Sequence, residues 1–183
     1  MIPSGDAPFW VFAYGSLMWR PDFPFVERQP AVVHGYHRSL CILSTRWRGT
    51  PERPGLVLGL DRGGSCRGQV FRVAPASVEE ARAILVAREM VGEVYRPCFL
   101  AARLDDGRRV AAWAFVARRD QDSYQPPSDP GRVVALVRQG HGVAGSSRDY
   151  LAQTVAQLDA LGVRDGALHR LLALVDGGGV RAG

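Results

Sequence analysis

The chain has 183 residues, 46% of them hydrophobic and 22% charged, which suits one sizeable core and is short for two. No apolar run approaches the roughly 18 residues of a membrane-spanning helix, and the opening "MIPSGDAP" lacks the basic segment of a secretory leader; the expected location is the cytoplasm, with no membrane partner. All 23 basic residues are arginine and the formal net charge is +5, so chemistry built on a lysine amine, whether a Schiff base or a phosphate-binding lysine loop, is excluded.

The arginines are spread along the chain, with no basic run longer than the pairs Arg108-Arg109 and Arg118-Arg119. That dispersion favours a solvated surface and small anionic ligands over nucleic acid. The three cysteines, Cys41, Cys66 and Cys98, form no CxxC pair and suit neither a disulfide framework nor a thiolate zinc site. His34 and His37 stand three apart on a predicted strand, facing opposite sides, and His141 and His169 are remote in sequence, so no metal site is expected.

In chain order, "WVFAY" (10–14) reads as the first strand and runs into Gly15 and Ser16. The segments 31–45, 55–60 and 68–73 are β-branched and aromatic, and the Pro/Gly-rich links "GTPERPG" and "DRGGS" between them read as turns of a meander of mostly antiparallel strands. "PASVEEARAILVAREMVG" changes period: Ser77 and Glu80 form a capping-box pattern, and Val78, Ala81, Ile84 and Leu85 fall at helical spacing. Segments 95–104 and 109–118 read as a hairpin closed by "DDG". "DQDSYQPPSDPG" reads as a loop, followed by helices near 130–138, 147–162 and 166–175. With strands first and helices mainly last, the fold class is α+β, in a single domain over 1–176 with a flexible tail at 177–183.

Only six glutamates occur: Glu27, Glu52, Glu79, Glu80, Glu89 and Glu93. Counting by fours from Ala81 through Leu85 lands on Glu89, so the predicted helix aims that carboxylate at the interior or a cleft. Two readings stay open: an ion pair with an arginine such as Arg88 or Arg96, or a desolvated proton acceptor with a raised pKa. Glu79 and Glu80 suit the helix dipole, and Glu93 lies past the expected helix end. Gly15, directly after a strand, admits close approach of a ligand to the backbone, and successive N–H groups leaving a strand end can line an anion or carbonyl-oxygen site; a plain tight turn explains it as well. A thiol nucleophile at Cys98 or Cys41 is a further enzymatic reading, but neither sits in a glycine-rich turn or at a helix start.

Several of these stretches together resemble the ChaC-like γ-glutamylcyclotransferases, over about residues 10 to 175. "VFAYGSLMWRPDFPF" is similar to that family's opening strand and loop, "GYHRSLCILSTRWRGTPERPGLVLGL" to its following strands, and "REMVGEVYRP" to the segment carrying its catalytic glutamate. "SSRDYLAQTVAQLDALGVRD" resembles its C-terminal helix. Carried over residue by residue, the resemblance implies Glu89 as the catalytic base and Tyr14, Gly15, Ser16, Leu17 and Tyr150 as substrate contacts, with Trp10 and Trp19 packing around the loop. It also implies a mostly antiparallel, closed or nearly closed sheet flanked by helices.

The activity so implied is intramolecular: the α-amine of a γ-glutamyl unit attacks its own γ-carbonyl, releasing 5-oxoproline and an amine, with no cofactor and no metal. For glutathione the second product is Cys-Gly. Other γ-glutamyl amines or peptides, or a non-catalytic γ-glutamyl-binding protein, are the alternatives. Ser147 stands where the family often has asparagine, and the interval from Glu89 to Tyr95 is longer than in eukaryotic members, as in the bacterial branch. Arg46 and Arg48, flanking Trp47, suit a glycyl carboxylate or an exposed loop.

Overall fold

The computed structural model describes residues 8–126 and 128–177. Seven strands and four α-helices follow in the order β1 (Phe9–Ala13), β2 (Glu27–Ser44), β3 (Gly55–Val73), α1 (Val78–Glu89), β4 (Tyr95–Leu104), β5 (Arg109–Ala117), α2 (Pro130–Gln139), β6 (His141–Gly142), β7 (Gly145–Ser146), α3 (Ser147–Ala160) and α4 (Gly166–Val175). They fall into two compact units. One takes the described residues through Arg38 together with Leu60–Arg118; the other takes Ser39–Gly59 and the described residues from Arg119 onward. Most of the expected tail at 177–183 lies outside the described residues.

The first unit is organised by a closed sheet in the order β1-β3-β2-β4-β5. β1 is buried along its whole length, as its unbroken apolar run requires: a strand without alternation must be covered on both faces. It pairs antiparallel with β3, Phe9 against Val73 through Ala13 against Gln69, and parallel with β5, Trp10 against Ala112. The meander expected from short links is therefore corrected, since β1 neighbours β3 and β5 and not the strand that follows it. β4 and β5 form the expected hairpin, Tyr95 against Ala117 through Arg103 against Arg109. "DRGGS" is no turn but part of a continuous β3; Gly63 and Gly64 take φ of 102° and 69°, so glycine carries a left-handed irregularity along the strand instead of reversing it.

α1 starts without the expected capping box. A 3-10 turn at Pro75–Ser77 leads into it, and Ser77 makes no side-chain cap bond. Ala81 and Leu85 are its buried residues, which fixes the face on which Glu89 follows. In the second unit α2, α3 and α4 pack on one another. Asp129, Ser146 and Asp165 cap them, each side chain accepting from the backbone N–H three residues on. Among the described residues, no helix is long and apolar enough to cross a membrane.

Candidate active site

β1 ends at Ala13, and the chain turns at once into a 3-10 turn, Ser16–Met18. The first bond of that turn runs from the Met18 N–H to the Gly15 carbonyl at 2.8 Å, so the N–H groups of Ser16 and Leu17 lie ahead of the turn's own bonds. Two anchors hold the loop. The Tyr14 hydroxyl donates to the Phe115 carbonyl on β5 at 2.9 Å. From below, the buried Arg38 guanidinium donates through Nε to the Tyr14 carbonyl and through a terminal nitrogen to the Arg67 carbonyl at 2.7 Å. Tyr14, Leu17 and Met18 are buried, and Ser16 is half-buried.

Glu89 is the last residue of α1, one turn beyond Leu85, and its side chain is 16% exposed. Burial pushes its carboxyl above the usual range, opposed by the charge of Arg88. Arg88 Nε stands 3.3 Å from Glu89 Oε1. The same guanidinium donates to Ser16 Oγ at 2.8 Å, to Asp22 Oδ2 at 2.7 Å and to the Arg20 carbonyl at 2.8 Å. One cation thus has the loop hydroxyl and the desolvated carboxylate on two sides. Glu89 has an arginine partner, yet burial outweighs that partner in the direction of its shift.

The other expected site residues lie in the second unit or elsewhere. Tyr150, in the first turn of α3, receives the Leu58 N–H on its hydroxyl at 3.4 Å, and the Arg48 guanidinium lies 5.2 Å from its ring centre. Arg48 donates to the carbonyls of Ala144 and Ser146 at 2.5 and 3.4 Å, so much of its fork is committed to backbone. Arg46 stacks on the half-exposed Trp47. Ser147 is fully buried; its hydroxyl accepts from the Leu56 N–H at 3.0 Å and donates to the Leu56 carbonyl at 2.7 Å. At this departure from the asparagine of the resembled family, a short side chain ties helix to strand.

The contacts that two arginines make with the loop are not legible in the sequence. Arg38 could have been noticed as a charge inside the apolar run that continues as Leu40, Cys41 and Ile42, since arginine is almost never buried without a task. Arg88 was seen only as an ion-pair partner; its bond to Ser16 joins residues 72 apart, which helical spacing cannot reveal. Cys98 is half-buried and burial pushes its thiol up, the wrong direction for a thiolate nucleophile. Glu93 is exposed at φ 52°, beside Arg118 at 3.6 Å.

A mostly antiparallel closed sheet with a loop at the end of its first strand and a carboxylate at the end of α1 is the γ-glutamylcyclotransferase-like fold. The crystal structure of a yeast γ-glutamylcyclotransferase specific to glutathione superposes with a TM-score of 0.84 at 22% identity, covering 93% of this chain and 96% of that one. The chain belongs to the ChaC-like protein family, which matches residues 9–177. Among its relatives, the glutathione-specific γ-glutamylcyclotransferase of Escherichia coli is 34% identical over 93% of this chain and 74% of that protein. The human glutathione-specific γ-glutamylcyclotransferase 1 is 29% identical over 91% and 77%.

Proposed function

We propose that this chain cyclises the γ-glutamyl unit of glutathione, releasing 5-oxoproline and Cys-Gly, with Glu89 as general base and no cofactor. The observation that carries the reading is the state of Glu89: a largely buried carboxyl of raised proton affinity, facing the guanidinium that also grips Ser16. The α-nitrogen enters as an ammonium and ends as a lactam N–H, so it sheds two protons while forming its bond to the γ-carbon. The departing cysteinyl nitrogen loses its bond to that carbon and gains two protons. No water is consumed and the proton count closes, so one carboxylate that accepts and returns protons is sufficient. Because the nucleophile is tethered, the remaining task is to hold the chain folded back on itself. The N–H groups of Ser16 and Leu17 suit the developing oxyanion, and Tyr14 to Leu17 form the wall that receives the γ-glutamyl group. Tyr150 is a further substrate contact, on the family resemblance.

We read residues 1–176 as one domain serving this reaction, in the cytoplasm, on a small molecule and without a nucleic-acid or membrane partner. Among the described residues, Cys41, Cys66 and Cys98 are in no disulfide, in agreement with a reducing compartment. The test is product analysis by mass spectrometry with glutathione and its α-N-acetyl derivative. Glutathione should give 5-oxoproline and Cys-Gly, and the acetylated compound nothing. Release of Cys-Gly from the acetylated compound would mean hydrolysis by water and end the cyclisation reading; no turnover of either would leave a γ-glutamyl-binding protein.

A further inference from the structure

Away from the loop and Glu89, the exposed face of the closed sheet holds a hollow of about 420 Å³ lined by His34, Leu100, Ala101, Ala102, Arg103 and Arg109. Arg103 and Arg109 are direct cross-strand partners on β4 and β5, so their side chains leave the sheet on the same face. Both are exposed, as are Ala101 and Ala111 in the adjoining cross-strand pair, while Ala102 and Leu104 between them turn inward. Ala101 and Ala102, in its lining, stop at Cβ and leave it open.

Like charges placed directly opposite one another on a sheet are destabilising, and elsewhere in this unit arginines are matched to carboxylates. Asp105 is taken by Arg67, and Glu27 and Asp106 by Arg108, all at 2.5–2.7 Å. The acids nearest in the chain are therefore spent, and among the described residues neither the Arg103 nor the Arg109 side chain has a hydrogen-bond or ion-pair partner. No acid lines the hollow, and His34 adds a third basic group to it.

We propose that this hollow is a binding site for a small phosphomonoester, its phosphate held between the guanidinium groups of Arg103 and Arg109 and its organic part over Ala101 toward His34. Two adjacent guanidinium forks match the several acceptor oxygens of a phosphate, and the volume falls within the roughly 300–1,000 Å³ usual for small-molecule sites. The site is independent of the proposed reaction, so glutathione turnover is unchanged by substitutions in it.

The test is titration of the full chain with phenyl phosphate and, separately, inorganic phosphate at constant ionic strength, following the His34 ring resonances by NMR. The expected result is saturable binding, tighter for the ester, and weakened roughly tenfold or more in Arg103→Ser and in Arg109→Gln, as loss of one charge-assisted contact implies. Absence of saturation, the same response to added chloride, or undiminished affinity in both variants would overturn the site. Equal affinity for ester and free phosphate would overturn the choice of ligand.

Discussion

Two glutamates in the same unit are set up in opposite ways. Glu27, at the start of β2, accepts from Arg72 at 2.7 Å, Arg108 at 2.5 Å and Gln29 at 3.1 Å, and the bonds from Arg108 and then Arg72 hold its carboxyl below the usual range. Glu89 faces one guanidinium at 3.3 Å, and burial holds its carboxyl above that range. The well-served carboxylate is stable and inert. A proton acceptor useful near neutrality has to be the poorly served one, because each donor given to it would lower its affinity for the proton it must take.

The largest test of this contrast is the pair Glu89→Gln and Glu27→Gln. Turnover of glutathione should fall by roughly 10²- to 10⁴-fold in the first, the usual range for a general base, and stay near the parent value in the second. Equal effects, measured as kcat on folded protein, would erase the distinction. Next comes Arg88→Gln, which releases Ser16, Asp22 and the Arg20 carbonyl together. It should cost about 10- to 100-fold in kcat through misplacement of the loop. With the opposing cation gone, the acid limb of the pH–rate profile should also move to higher pH, whereas a purely structural role would leave that limb in place.

The smallest effect is on stability, and its sign separates the two glutamates. The folded pKa of Glu89 lies above its unfolded value of about 4.3, so the folded chain binds the proton more tightly and stability declines as pH rises through that interval. Glu89→Gln should therefore raise Tm at pH 7, with the gain vanishing below about pH 4. Glu27 has the reverse shift; its contribution is present above its unfolded pKa and lost as pH falls through the folded one. Glu27→Gln should lower Tm at pH 7. Thermal melts of both variants at pH 7 and in acid decide the matter.

Local signals in the sequence were the dependable ones. The helices expected near 130–138, 147–162 and 166–175 lie within a residue or two of those bounds, at Pro130–Gln139, Ser147–Ala160 and Gly166–Val175. The four-residue step that singled out Glu89 depends only on helix geometry. What failed or went unseen depends on partners far along the chain. Gly63-Gly64 reads as a turn until β3 is seen to continue through it. Nothing near β1 announces that it lies parallel to β5, and nothing near Arg38 announces that its guanidinium sits under Tyr14.

The junction of β1 with β5 also dictates an order of assembly. The hairpin of β4 and β5 closes across a few residues, but the Tyr14 hydroxyl and the Phe115 carbonyl that seat the loop are 101 residues apart. The entropy of closing so long a span must be met before its contacts give anything back. On a ribosome, Arg38 emerges soon after the loop whose Tyr14 carbonyl it holds, but the Tyr14 hydroxyl has no Phe115 carbonyl to donate to until β5 has been made. The seating of this loop is in this sense the last-written clause of the unit, although its opening words lie near the start of the sequence.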